Sequence, residues 1–191
     1  MPETVNYLFA YGSLVERATK GSGFIWPADL TGFSRAWRHC MDTEWGKVCA
    51  LTIVARHNAR VRGVLIPITE DELAALDVRE IGYVRGAIDR SHLSGLSIPS
   101  SGTLMTYFSR KEHLHPGSEK YPIWRSYVDY ILAYYIEVFG IDSAKLFISE
   151  TVGWEAPMLD DRHAPKYPRA KTLAPSMRAL VDDALASAGI S

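Results

Sequence analysis

Cysteine is scarce: Cys40 and Cys49 are the only two in 191 residues. Neither sits in a metal or redox spacing, which sets aside a disulfide-stapled secreted scaffold. Two thiols in a chain of this size imply a reducing compartment. An excess of one charge is missing too. Lys and Arg number 21 against 22 Asp and Glu, a formal net charge of −1, so the balance advertises neither nucleic acid nor an anionic membrane as a partner. A small neutral or zwitterionic ligand fits it better. Long hydrophobic runs are absent. The apolar stretch Val5–Ala10 has no basic segment before it and is too short for a signal core or a membrane span. The expected location is the cytoplasm. Repeats, low-complexity tracts and a convincing linker are lacking as well, which points to one domain over residues 1–191.

What is present is a folding composition. Hydrophobic residues make up 47% and charged residues 23%, enough apolar surface for a substantial core and against disorder. The first third reads as strands: Val5–Tyr11, Leu30–His39, Val48–Ala55 and Arg60–Ile66, the last ended by Pro67. A short helix follows in TEDELAALD, where Thr69 and Glu72 form a capping-box pattern and acidic residues crowd the first turn. Tyr83–Asp89 reads as a strand, Ser91–Gly102 as a loop and Thr103–Ser109 as another strand.

The longest helix is expected to start at Pro122, with Ile123, Tyr127, Ile131, Tyr134, Tyr135 and Val138 on its apolar face and Gly140 as its stop. A Pro-rich segment, Trp154–Arg169, then leads to a terminal helix marked by Met177, Leu180, Val181, Ala184 and Leu185. Strands first and helices later, without βαβ alternation, indicate an α+β fold.

Two stretches stand out for chemistry. FAYGSL, Phe9–Leu14, has a strand-then-turn character. Gly12 permits positive φ, and successive N–H groups in such a turn form an anion-binding concavity. From the hexapeptide alone, a plain glycine turn is the simpler account. A nucleophilic Ser13 is weaker still, because the second glycine of a nucleophile elbow is absent. In LDVREIGYVR, Leu76–Arg85, Glu80 falls between a helix and a strand beside Gly82, where a carboxylate is placed to face a cleft. For an arbitrary glutamate a solvated loop is the ordinary outcome.

Other candidates carry less. His113 and His115 lack the acidic or thiol company of a metal site. Gly21–Phe24 (GSGF) lacks the lysine and spacing of a phosphate loop. Asp161, Arg162, His163 and Arg169 in DRHAPKYPR have two readings, cleft lining and surface wrap, of which the wrap is favoured. The tyrosines of the long helix belong first to the core.

Taken together, Tyr11-Gly12-Ser13-Leu14 and Glu80 give the chain a resemblance to the γ-glutamylcyclotransferase-like family. LTGFSRAW, RVRGVLIPI and SYVDYILAYYIEVFG add to the likeness, which runs from Tyr7 to Ile141. It implies a small mixed β-barrel flanked by helices, with the segment from about residue 154 as an extension. It further implies intramolecular acyl transfer on a γ-glutamyl compound, releasing an amine or amino acid and 5-oxoproline. Glu80 would be the catalytic carboxylate, Tyr11, Gly12, Ser13, Leu14 and Tyr127 would bind substrate, and no metal or organic cofactor would be needed. The alternatives are a non-catalytic module holding a small ligand on the same barrel, or a cyclotransferase for γ-glutamylamines or a γ-glutamyl-tagged natural product. The resemblance assigns no oligomeric state.

Overall fold

The computed structural model describes residues 5–20 and 25–190. The GSGF stretch, Gly21–Phe24, lies outside them. Strand β1 (Asn6–Ala10) runs through a 3-10 turn (Ser13–Glu16) into the short helix α1 (Arg17–Lys20). Two long strands follow, β2 (Trp26–Thr43) and β3 (Gly46–Ile68), and then helix α2 (Glu70–Arg79). Strands β4 (Tyr83–Ala87), β5 (Leu93–Ser94) and β6 (Thr103–Ser109) complete a sheet of order β4-β6-β1-β3-β2-β5. Only the β1–β6 pairing in it is parallel, so the sheet is mixed, and it curls into a half-barrel.

The expected break between Val48–Ala55 and Arg60–Ile66 is not a break in the strand. β3 is continuous, pairing Ala55 with Phe33 and Arg60 with Thr31. The polar residues between bulge out, with Asn58 at φ 60°. A bulge lets one strand bend and serve two ladders. The far half of β3, Val64–Ile68, then also pairs with β1.

Alternation in β1 sends Leu8 and Ala10 to one core cluster and Phe9 to another, with Tyr11 beyond the strand joining Phe9. This double burial explains why the segment reads as unbroken apolar residues. The larger cluster is closed by α3 (Arg125–Phe139), α4 (Ile141–Glu150) and α5 (Pro175–Ser187). Helix α3 starts at Arg125 rather than Pro122. Ile123–Trp124 form the short strand β7, which pairs in parallel with β8 (Met158–Leu159). Gly140, at φ 81°, ends α3 as expected, and α4 begins at once, an element the sequence pattern did not separate. Helix α3 is buried almost all round from Ser126 to Tyr135. In α5 only Val181, Ala184 and Leu185 are buried; Leu180 is exposed.

No helix among the described residues is long and apolar enough to cross a membrane.

Candidate functional site

The turn after β1 is held from behind. The Tyr11 carbonyl accepts hydrogen bonds from Arg35 Nε at 3.0 Å and from the Tyr135 hydroxyl at 2.8 Å. The Tyr11 hydroxyl in turn donates to the Tyr107 carbonyl at 2.8 Å. The Gly12 carbonyl accepts the Val15 N–H at 3.0 Å, closing the first 3-10 turn. The N–H groups of Ser13 and Leu14, at the start of that turn, meet no backbone carbonyl among the described residues, as expected where a helix begins.

Gly12 itself departs from expectation. Its φ is −135°, not positive. A Cβ there would meet Leu51 Cδ1 at 3.7 Å, an ordinary contact. The left-handed conformation invoked for this glycine therefore does not apply.

Glu80 is fixed at the corner between α2 and β4. The capping box is present in full: Thr69 Oγ1 accepts the Glu72 N–H and Glu72 accepts the Thr69 N–H. At the other end the Glu80 N–H donates to the Leu76 carbonyl at 2.7 Å, and its own carbonyl accepts the Tyr83 N–H at 2.8 Å. Gly82 is required by close approach, since a Cβ would lie 2.8 Å from the His39 ring. With that space open, Tyr83 stacks on His39 at 3.8 Å between centroids. The Glu80 side chain is 15% exposed and pairs with Arg79 Nε at 3.0 Å. Burial pushes its carboxyl above the usual range, and the Arg79 charge opposes that only in part.

Two neighbouring spaces share Glu80 in their walls. The inner chamber, about 30 Å³, is lined by Tyr11, Gly12, Ser13, Leu14, Glu80 and Tyr127, together with neighbours from β1, β3 and β6. The outer cleft, about 320 Å³, shares Ser13, Glu80, Tyr83 and Tyr127 and extends along Trp45, Trp124 and Met41. All six residues expected at a site thus line one chamber. Tyr127 is packed in the core and also lines both spaces. Its ring packs on Trp37 and Tyr167, and burial followed by the Glu80 charge raises its hydroxyl pKa.

The Pro-rich segment is not a surface wrap at its far end. Asp161, 3% exposed, accepts from the Ser126 N–H at 2.7 Å, the Ser126 hydroxyl at 2.6 Å and the Lys166 N–H at 2.8 Å. Arg162 bonds Asp129 and Asp182. Buried charges persist only when paired in this way, and the pairing pins the segment to α3. Tyr167, Pro168 and Arg169 are thereby delivered into the outer cleft, where Arg169 Nη2 donates to Ser13 Oγ at 3.2 Å. His163 is exposed.

His39 also lines the outer cleft, as a neutral ring. Burial, then the neighbouring His113 and His115, lowers its pKa to about 3. Its Nδ1 faces Ser109 Oγ at 2.8 Å. His115 Nδ1 sits 3.1 Å from the Pro116 carbonyl. No group of three or more His, Cys, Asp or Glu among the described residues is placed to hold a metal ion.

No family model matches this chain, and no curated protein matches it. Solved structures do. One is a γ-glutamyl cyclotransferase, 16% identical, with a TM-score of 0.59 over 95% of this chain and 99% of that one. Another is an uncharacterized protein from Homo sapiens, 16% identical, TM-score 0.57, over 94% of this chain and 99% of that one. A third is YkqA from Bacillus subtilis, 16% identical, TM-score 0.57, over 82% of this chain and 57% of that one. The likeness is one of fold: a curled mixed sheet flanked by helices, as in γ-glutamyl cyclotransferase.

Proposed function

We propose that the chain, acting as one domain with residues from about 154 onward as an extension, converts a γ-glutamyl compound to 5-oxoproline and a free amine or amino acid. The observation that carries this reading is the meeting of the Glu80 carboxylate, the Tyr11–Leu14 turn and Tyr127 in one chamber.

The α-nitrogen of the substrate attacks its own γ-carbonyl carbon, and the bond from that carbon to the departing nitrogen breaks. Both reactants sit in one molecule, so holding the glutamyl group bent supplies much of the acceleration. In becoming the ring N–H the α-ammonium loses two protons, and the departing nitrogen gains two in leaving as ammonium. The reaction is proton-neutral, and one carboxylate suffices as shuttle. Glu80 takes a proton from the α-nitrogen and returns one to the leaving nitrogen. Its raised pKa suits both halves of that task. The chamber admits a group of carboxylate or carbonyl size, and the Ser13 and Leu14 N–H groups are the donors for it. Ser13 is part of that binding turn rather than a nucleophile. No step calls for a metal or an organic cofactor.

The fold shared with a γ-glutamyl cyclotransferase supports the reading. The test is to incubate the pure protein with γ-glutamyl amino acids, glutathione and γ-glutamylamines and to measure 5-oxoproline. Release by wild type and not by Glu80→Gln is expected. Absence of 5-oxoproline across the panel, with compounds still binding, would leave a binding module in its place.

A further inference from the structure

We propose that Arg169 is a specificity residue of the outer cleft, binding a carboxylate on the leaving group, so that the preferred substrates release an amino acid with a large apolar side chain rather than a simple amine. This rests on the acyl-transfer reading above.

Arg169 is a partly buried cation without a counter-charge among the described residues. It forms no ion pair among the described residues and is held instead by neutral groups. Nη2 donates to Ser13 Oγ and to the Tyr167 hydroxyl, and the guanidinium lies over the Tyr130 and Tyr167 rings at 5.6 and 5.1 Å. Its Nη1 is sealed from solvent and has no hydrogen-bond partner. A buried guanidinium N–H left unpaired is costly, and an acceptor in the cleft relieves that cost once the side chain turns Nη1 toward it. The carboxylates on this side are engaged elsewhere. Glu16 accepts from Tyr130 and Tyr134, Glu72 closes the capping box and pairs with Arg17, and Glu80 pairs with Arg79. Among the described residues no carboxylate is left to complete Arg169, and a ligand in the cleft supplies the anion.

Position decides which anion. Arg169 lines the outer cleft and not the inner chamber, where the backbone donors of the turn sit. With a carboxylate or carbonyl of the glutamyl group in the inner chamber, the leaving group lies outward, against Arg169. The other cation of the cleft, Arg79, is paired with Glu80, and apart from His39 and Thr43 the wall beyond these residues is largely apolar or aromatic. Met41, Val48, Trp124 and Tyr167 line it, and Trp45 stands at it 47% exposed, an indole with no packing reason to face water. A cation beside an aromatic wall in about 320 Å³ suits a carboxylate next to a large apolar side chain.

The test uses two substrates that differ only in that carboxylate, γ-glutamyl-phenylalanine and γ-glutamyl-phenethylamide, with 5-oxoproline release as readout. A second arm titrates 3-phenylpropanoate against 3-phenylpropanamide by calorimetry, with no turnover required. Wild type is expected to favour the acid in each pair by roughly 10- to 100-fold, the size of a charge-assisted hydrogen-bonded pair. Arg169→Gln should bring both ratios near one by weakening the acid, and Arg169→Lys should keep part of the preference, which a purely structural arginine would not do. Turnover of both substrates with a ratio near one in wild type overturns the subsite and leaves the reaction standing. Absence of turnover with the binding preference intact, and lost in Arg169→Gln, sinks the acyl-transfer reading and keeps the subsite. Equal binding of acid and amide by wild type overturns the subsite whatever the turnover.

Discussion

Tyr135 and Arg35 converge on one atom. The Tyr135 hydroxyl and Arg35 Nε both donate to the Tyr11 carbonyl, and Arg35 Nη2 lies 3.1 Å from the same hydroxyl. Arg35 is 1% exposed and makes no ion pair among the described residues; its guanidinium lies over the Phe147 ring at 4.3 Å. A buried cation spent on backbone carbonyls fixes geometry, here that of the residue immediately before Gly12. Tyr135→Phe removes the hydroxyl whose one proton lies between the Tyr11 and Arg62 carbonyls and whose oxygen accepts from Arg35 Nη2. Losing such bonds costs about 1–2 kcal/mol, or about 2–8 °C in Tm for a chain of this length. Thermal unfolding checks the drop, and 5-oxoproline kinetics should show KM rising with it. A variant with unchanged Tm and KM would make the convergence incidental.

Glu80→Gln keeps the shape of the side chain and removes the proton acceptor. Turnover should fall by about 10²–10⁴-fold, the usual contribution of a general base. A Gln variant running at wild-type speed would make Glu80 a bystander. Stability should move in the opposite sense. Because the carboxyl pKa is raised on folding, the folded state binds the extra proton between the unfolded and folded pKa values. Wild-type stability therefore falls as pH rises through that window, and Glu80→Gln removes that part of the slope. Urea midpoints from acid to neutral pH measure it. The same raised pKa places the acid limb of kcat/KM above the ordinary carboxylate value.

How much of this was legible beforehand follows from what is local. The capping box at Thr69 and Glu72 and strand β6 at Thr103–Ser109 depend on near neighbours and appear as read. Glu80 and the turn were legible as positions, though not for the reason given at Gly12, whose φ depends on how Arg35 and Tyr135 grip the preceding carbonyl. The start of α3 was misplaced because Ile123–Trp124 pair with Met158–Leu159, a partner 35 residues away. Tyr167 was missed as a cleft residue, and for Arg169 the surface wrap was favoured over cleft lining, for a like reason. They arrive through Asp161 gripping Ser126, and no spacing within DRHAPKYPR encodes that contact. The signal that could have suggested it is the density of acid and base in a proline-rich stretch, more than a solvated wrap needs.

Tyr127→Phe should weaken binding more than chemistry. The ring packs on Trp37 and Tyr167 and stays in place, so only the hydroxyl is lost from the wall shared by chamber and cleft. A hydrogen bond to a charged group is worth about 1.5–3 kcal/mol, roughly a 10- to 150-fold rise in KM if it acts on ground and transition states alike. Steady-state kinetics separate KM from kcat. Unchanged kinetics would return Tyr127 to the core alone.

Ser13→Ala decides whether the hydroxyl or the backbone of the turn does the work. A nucleophilic serine needs a base to take its proton. The groups bonded to the Ser13 side chain are the Arg169 guanidinium, which has donors and no acceptor, and the Tyr127 and Tyr167 hydroxyls, which burial keeps protonated; the imidazole in the cleft, His39, is turned to Ser109 and Met41. Alanine keeps the N–H groups of the turn, so a measurable fraction of the rate should remain, and intact-protein mass spectrometry during turnover should show no glutamyl adduct. The loss that does occur should follow Arg169. Without the Ser13 oxygen the guanidinium keeps only the Tyr167 hydroxyl and the Tyr130 and Tyr167 rings, so Ser13→Ala should reduce turnover of γ-glutamyl-phenylalanine more than that of γ-glutamyl-phenethylamide. A dead but folded Ser13→Ala, beside a trapped adduct on the wild-type serine, would put the hydroxyl at the centre of the chemistry and remove Glu80 from it as the direct proton carrier.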